Sequence, residues 1–205
     1  MQQTLLVLLG IIILALYGLS FQQQDAKSER ESIRRELETA ALGVTASWSA
    51  RLQRLAFDDL MVGKTRPVAE DDLRFTTPVA ELGSDVGEST RCDWDDLDDF
   101  HGFVDTTAFP VRYGEADFRV EISVRYADAE APETLPAGRS NVKAARVTST
   151  YVDPRPQGEP YRDAFRDPVR VSTEIVLSNS LMTVQRQMQG ASLTGNDIFP
   201  ACSAP

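Results

Sequence analysis

Five aspartates fall within seven residues: Asp93, Asp95, Asp96, Asp98 and Asp99, in the stretch CDWDDLDDFHGF from Cys92 to Phe103. Oxygen donors at this density suit Ca²⁺, the one cofactor the chain offers a place for. The spacing is not that of an EF-hand loop. Leu97 stands where a fifth-position donor belongs, and no glycine follows at the sixth. The competing reading, which the pattern favours, is a solvated helical turn whose Trp94, Leu97 and Phe100 pack inward. His101 is the single histidine. A histidine beside carboxylates can serve as a base, but no serine or cysteine stands in a recognisable nucleophile setting and no glycine-rich phosphate loop is present. His101 is therefore read as structural or surface, and the chain as no enzyme. Cys92 and Cys202 are either two separate thiols or a disulfide that ties the C-terminal tail to the body. The disulfide is the favoured reading. It would close a loop of about 110 residues and stabilise by about 4–5 kcal/mol in the chain-entropy model. It also implies an oxidising, extracytoplasmic setting.

The chain has 205 residues and a formal net charge of −10. A phosphate backbone would be repelled by that field, so nucleic acid is excluded as a partner class. Setting the N-terminal helix aside leaves about 145 residues, enough for one domain with a modest core.

The elements that must position these groups begin with the N-terminal run. Leu5 to Phe21 reads LLVLLGIIILALYGLSF, without charge or proline. This predicts a membrane segment. Neutral Gln2, Gln3 and Thr4 make no basic n-region, and Gln22 to Asp25 make a poor cleavage site, so the segment reads as retained rather than as a signal peptide. Lys27, Arg30, Arg34 and Arg35 would place the following side in the cytoplasm by local charge, against the implication of the disulfide. Ile33, Leu37, Ala41, Val44, Trp48, Leu52 and Leu55 then recur at steps of three and four, one stripe of a continuing amphipathic helix. Oppositely charged residues fall four apart beside it: Lys27 with Glu31, Glu31 with Arg35, Arg34 with Glu38. Gly63, followed by Pro67, predicts the helix end. The expected organisation is residues 1–22 as a transmembrane or filament-core helix, 23–62 as its amphipathic continuation, and 63–205 as a β-rich globular domain.

Residues 63–91 read as a long surface connection. Phe118, Val120, Ile122, Val124 and Tyr126 alternate with polar residues, the period of a half-buried strand. Residues 142–152 make a second strand whose apolar phase changes near Ala144, which predicts a bulge there. Val169, Val171, Thr173, Ile175 and Leu177 mark a third. Alternating strands of this kind make an antiparallel sheet with one covered face, and the helical stripe is the cover. The predicted class is α+β: a long N-terminal helix, half apolar and half amphipathic, packed on a small antiparallel sheet.

This arrangement, with a disulfide near the C-terminus, resembles the type IV pilin superfamily of pilins and type II secretion pseudopilins. The segment CDWDDLDDFHGF is similar to one in minor pilins of the MSHA and PilV-like kind, where it precedes strands much like DFRVEISVRY and NVKAARVTST. The resemblance implies a structural subunit of a pilus-like filament or pseudopilus. Its assembly helix would present Leu5, Leu9, Gly10, Ile13, Leu16, Gly18 and Phe21, with Gly10 and Gly18 as points of stretch. The partners implied are copies of the chain or other pilin-like subunits, with the bacterial inner membrane before assembly and a periplasmic or extracellular filament after it. The alternative implied is a single-pass, membrane-tethered periplasmic binding module that does not polymerise. The family's Phe-Thr-Leu-Ile-Glu start is not found, and with Met1 as first residue Leu5 takes the place of its glutamate.

Overall fold

A computed structural model of the chain describes residues 2–57, 77–84, 88, 90–112, 114–128, 130–134, 138–152 and 168–178, without the side chains of residues 2–8 and 81. Helix α1 runs from Gln2 to Leu52, 51 residues, which is about 75 Å at the α-helical rise. Four strands follow: β1 (Val104–Val111), β2 (Gly114–Tyr126), β3 (Val142–Tyr151) and β4 (Arg170–Ser178). They form one antiparallel sheet in chain order, β1-β2-β3-β4. A long helix on an antiparallel sheet is the α+β arrangement that the periodicity predicts.

The C-terminal third of α1 lies on the sheet because its stripe is apolar. Leu37, Ala41, Val44, Trp48 and Leu52 are buried, and they meet Phe118, Val120, Ile122 and Val124 of β2 and Ala145 and Val147 of β3 in one core. Ser149 on β3 donates to Ala41 O of the helix at 3.0 Å, which joins the layers by a buried polar contact. Ion pairs at 3.2 Å (Arg35–Glu31) and 3.0 Å (Arg34–Glu38) run along the solvent side. Ile33, expected in the stripe, is largely exposed. The helix has by then left the sheet, so packing begins at Leu37.

Three further expectations are corrected. The helix ends at Leu52 rather than near residue 62. Its last turn tightens, with Arg54 N–H donating to Arg51 O and Leu55 N–H to Leu52 O. Ala56 then pairs with Asp96 in a parallel bridge, exchanging backbone hydrogen bonds with Asp95 and Leu97. The acidic loop thus captures the backbone that would have continued the helix, and Leu55 is buried from a turn. Gly63 and Pro67 lie outside the described residues.

The bulge near Ala144 is not formed. β2 and β3 pair without interruption from Phe118↔Tyr151 to Tyr126↔Lys143. The change of apolar phase has another cause, because β3 is an inner strand buried on both faces over Val142–Ala145. Lys143 and Ala145 face the helix side, while Val142 and Ala144 join Ala127 in a small second cluster. β1 is the strand that the alternation did not reveal. It is an edge strand, half-buried at every second residue, and its edge position tolerates Pro110.

The membrane reading of residues 1–22 is overturned. Among the described residues, no helix is long and apolar enough to cross a membrane. The apolar run from Leu5 to Phe21 is 17 residues, about 25 Å of helix against a hydrocarbon core of about 30 Å. Gly10, Gly18, Ser20 and the glutamines from Gln22 onward dilute it further. The single-pass inner-membrane location falls with it.

Candidate functional site

Two features stand out from the packed domain: the acidic loop between α1 and β1, and the apolar end of α1. The loop is held along β2. Gly102 N–H donates to Ile122 O, and Ile122 N–H to Phe103 O. His101 Nδ1 lies 2.6 Å from Val124 O and 3.2 Å from Val124 N, so either ring tautomer bonds the β2 backbone. Beneath the loop, Trp94, Phe100 and Phe103 stack edge-on and tilted with Trp48 of α1, the Trp48–Phe103 and Trp94–Phe100 centroids both 5.1 Å apart. Leu97 and Phe100 are fully buried. The loop is therefore an aromatic plug whose backbone must be satisfied locally.

The aspartates do that work. Asp96 Oδ1 accepts from the backbone of Asp98 at 2.9 Å and of Asp99 at 3.3 Å. Asp99 Oδ2 accepts from the backbone of Asp95 at 2.9 Å and of Asp96 at 3.0 Å. Asp96 thus satisfies the first two N–H groups of the 3-10 turn Asp98–Phe100, and Asp99 the two N–H groups at Asp95 and Asp96 before it. Asp93 turns away and binds Thr90 through backbone and hydroxyl. Asp98 reaches the opposite way, to Lys143 Nζ at 2.6 Å. The five expected donors thus do not converge.

A different group does: Glu88, Asp95 and Asp99 bring one carboxylate oxygen each within 4.8 Å of the others. Sequence reasoning passed over Glu88, which lies outside the aspartate run. Burial and then a hydrogen bond to Glu88 push the Asp99 carboxyl up to about 8. At neutral pH Asp99 therefore holds its proton, which removes one of the three charges that would draw a cation to the group. Asp96 is also raised well above the ordinary carboxylate range, first by burial and next by the charge of Asp98.

Asp96, Asp98, Asp99 and Lys143 are all buried. The Lys143 ammonium also donates to Phe57 O at 2.6 Å and lies over the Phe57 and Tyr126 rings, 4.6 and 5.5 Å from their centroids. No pattern in the sequence marks this lysine, which sits on the covered face of β3 where an apolar residue belongs. Cys92 is disulfide-bonded; Cys202, its expected partner, lies outside the described residues.

The apolar end of α1 is the second feature. Leu9, Ile13, Leu16 and Phe21 are all exposed, as are Ile11, Ile12, Leu14, Tyr17 and Leu19. The helix is unbroken through Gly10 and Gly18, and both glycines face open space. The side chain of Leu5 lies outside the described residues. Comparison with known protein families, with characterised proteins and with solved structures finds no match to this chain.

Proposed function

We propose that the chain is a structural subunit of a type IV pilus-like filament or pseudopilus. It is assembled by packing the N-terminal end of α1 against those of other copies or of related subunits. One observation carries this reading: over residues 9–21, at its N-terminal end, α1 is apolar and exposed on every face. Ile11, Ile12, Ile13 and Leu14 are consecutive and all exposed. At about 100° per residue they look out around the whole circumference. Leu14 is 72 % exposed and Tyr17 74 %. A helix with one apolar stripe needs one neighbour, whereas a helix apolar all round must be surrounded. A dimer would cover one side and leave the rest in water. Repeated lateral packing about a common axis covers all sides at once, and a head-to-tail contact of this kind builds an open helical array. The globular domain, carried at the other end of α1, then faces outward.

Velocity sedimentation and negative-stain microscopy of the full chain test this. The expected outcome is concentration-dependent assembly into fibres of regular width, lost in Leu14→Glu. A folded chain that stays monomeric at every concentration, or that forms only amorphous aggregate, would overturn the proposal.

A further inference from the structure

We propose that Lys143 and Asp98 are joined by an intramolecular isopeptide bond, an amide between Lys143 Nζ and Asp98 Cγ, with the Asp96 carboxyl relaying protons. The geometry places the three groups as the reaction needs them. Lys143 Nζ and Asp98 Oδ1 are 2.6 Å apart, and their side chains are 0 % and 2 % exposed. A side-chain hydrogen bond joins the carboxyls of Asp96 and Asp98. The amine is aimed by Phe57 O and enclosed by the Phe57 and Tyr126 rings. Lys143 is fixed in an inner strand, and Asp98 in a turn whose backbone is capped by Asp96. Nucleophile and electrophile are therefore held in contact, which replaces a bimolecular encounter by an effectively unimolecular one.

In a dry pocket, two neutral groups are favoured over two separated charges. The Lys143 ammonium passes one proton along its hydrogen bond to Asp98, leaving a neutral amine and a carboxylic acid. The Nζ lone pair then attacks Cγ. The second proton leaves nitrogen through the neutral Asp96 carboxyl, which returns it to the departing Asp98 oxygen. That C–O bond breaks and water leaves. An ammonium and a carboxylate become one amide and one water, with no oxidant, reductant or metal involved. The product ties the acidic loop covalently to the middle of the sheet.

Intact-mass measurement of the purified full chain, with its cysteines reduced, tests the inference. The expected result is a chain about 18 Da lighter than its sequence requires, one water lost, with a branched Lys143–Asp98 peptide found on digestion. Asp98→Asn is expected to lose ammonia instead, about 17 Da. Lys143→Arg retains full mass, and so does Asp96→Asn, with its fold checked by tryptophan fluorescence. Wild-type chain at full mass after prolonged incubation at neutral pH would overturn the proposal. So would the same loss in Lys143→Arg, since the dehydration would then lie elsewhere.

Discussion

Before the amide forms, the charge of Lys143 on the covered face of the sheet is answered by Asp98, Phe57 O and two aromatic rings. Removing one partner strands the other. In the uncross-linked Asp96→Asn background, Lys143→Met is expected to lower unfolding free energy by about 3–5 kcal/mol, with Lys143→Met/Asp98→Leu recovering part of the loss, as read by urea denaturation. The raised carboxyls set the pH response. Asp99 holds its proton to about 8 when folded, whereas an unfolded aspartate loses it near about 4. Its stabilisation is complete below the unfolded value and declines as pH rises through the folded one. Asp96 acts in the same direction. Glu174 opposes them at the acid end. Its carboxyl is lowered, first by the hydrogen bond from Arg146, so its stabilisation is lost as pH falls below the usual glutamate value. Urea midpoints are therefore expected to fall from about pH 5 to about pH 8, with a shallower slope in Asp99→Asn. An unchanged slope would place the titration elsewhere.

At the scale of elements, Gly43 of the helix faces the Phe109 ring of edge strand β1. A Cβ at Gly43 would meet the ring at 2.8 Å. The same region opens into a groove of about 660 Å³ beside Ala40, Pro110 and Val111. Gly43→Ala gains about 1 kcal/mol of helix propensity and loses about 1–3 kcal/mol to overpacking. The expected net effect is a loss of up to about 2 kcal/mol. In a Phe109→Leu background the clash is gone, and the same substitution is expected to stabilise by up to about 1 kcal/mol; a double-mutant cycle reads the difference. The elements themselves were unevenly legible. Strands β2 and β4 announce themselves by strict alternation, because each has one dry and one wet face. β3 was found, but its phase change misled, since an inner strand buried on both faces has no reason to alternate. β1 was missed because its half-buried positions are Asp105, Thr107, Phe109 and Val111, two of them polar, so no apolar alternation marks it.

At the scale of the whole molecule, the packed domain and the projecting helix end are energetically separate. Leu14 is 72 % exposed, so Leu14→Glu is expected to leave the unfolding free energy unchanged within about 0.5 kcal/mol while abolishing assembly. Loss of both together would tie the helix end to folding rather than to association. The sequence by itself determined the long helix, its apolar end, the stripe from Leu37 to Leu52 and the covered antiparallel sheet. Each is a periodic pattern of burial, and periodicity is local information. It also located the acidic loop and its inward Leu97 and Phe100. Only the tertiary structure decided where the helix stops, because Ala56 bonds a loop 40 residues away. Only it brought Asp96 and Asp99 to the loop's own N–H groups, Asp99 to Glu88 and Asp98 to Lys143. Those partners lie up to 45 residues apart in the chain, and side chains that meet by folding leave no spacing to read.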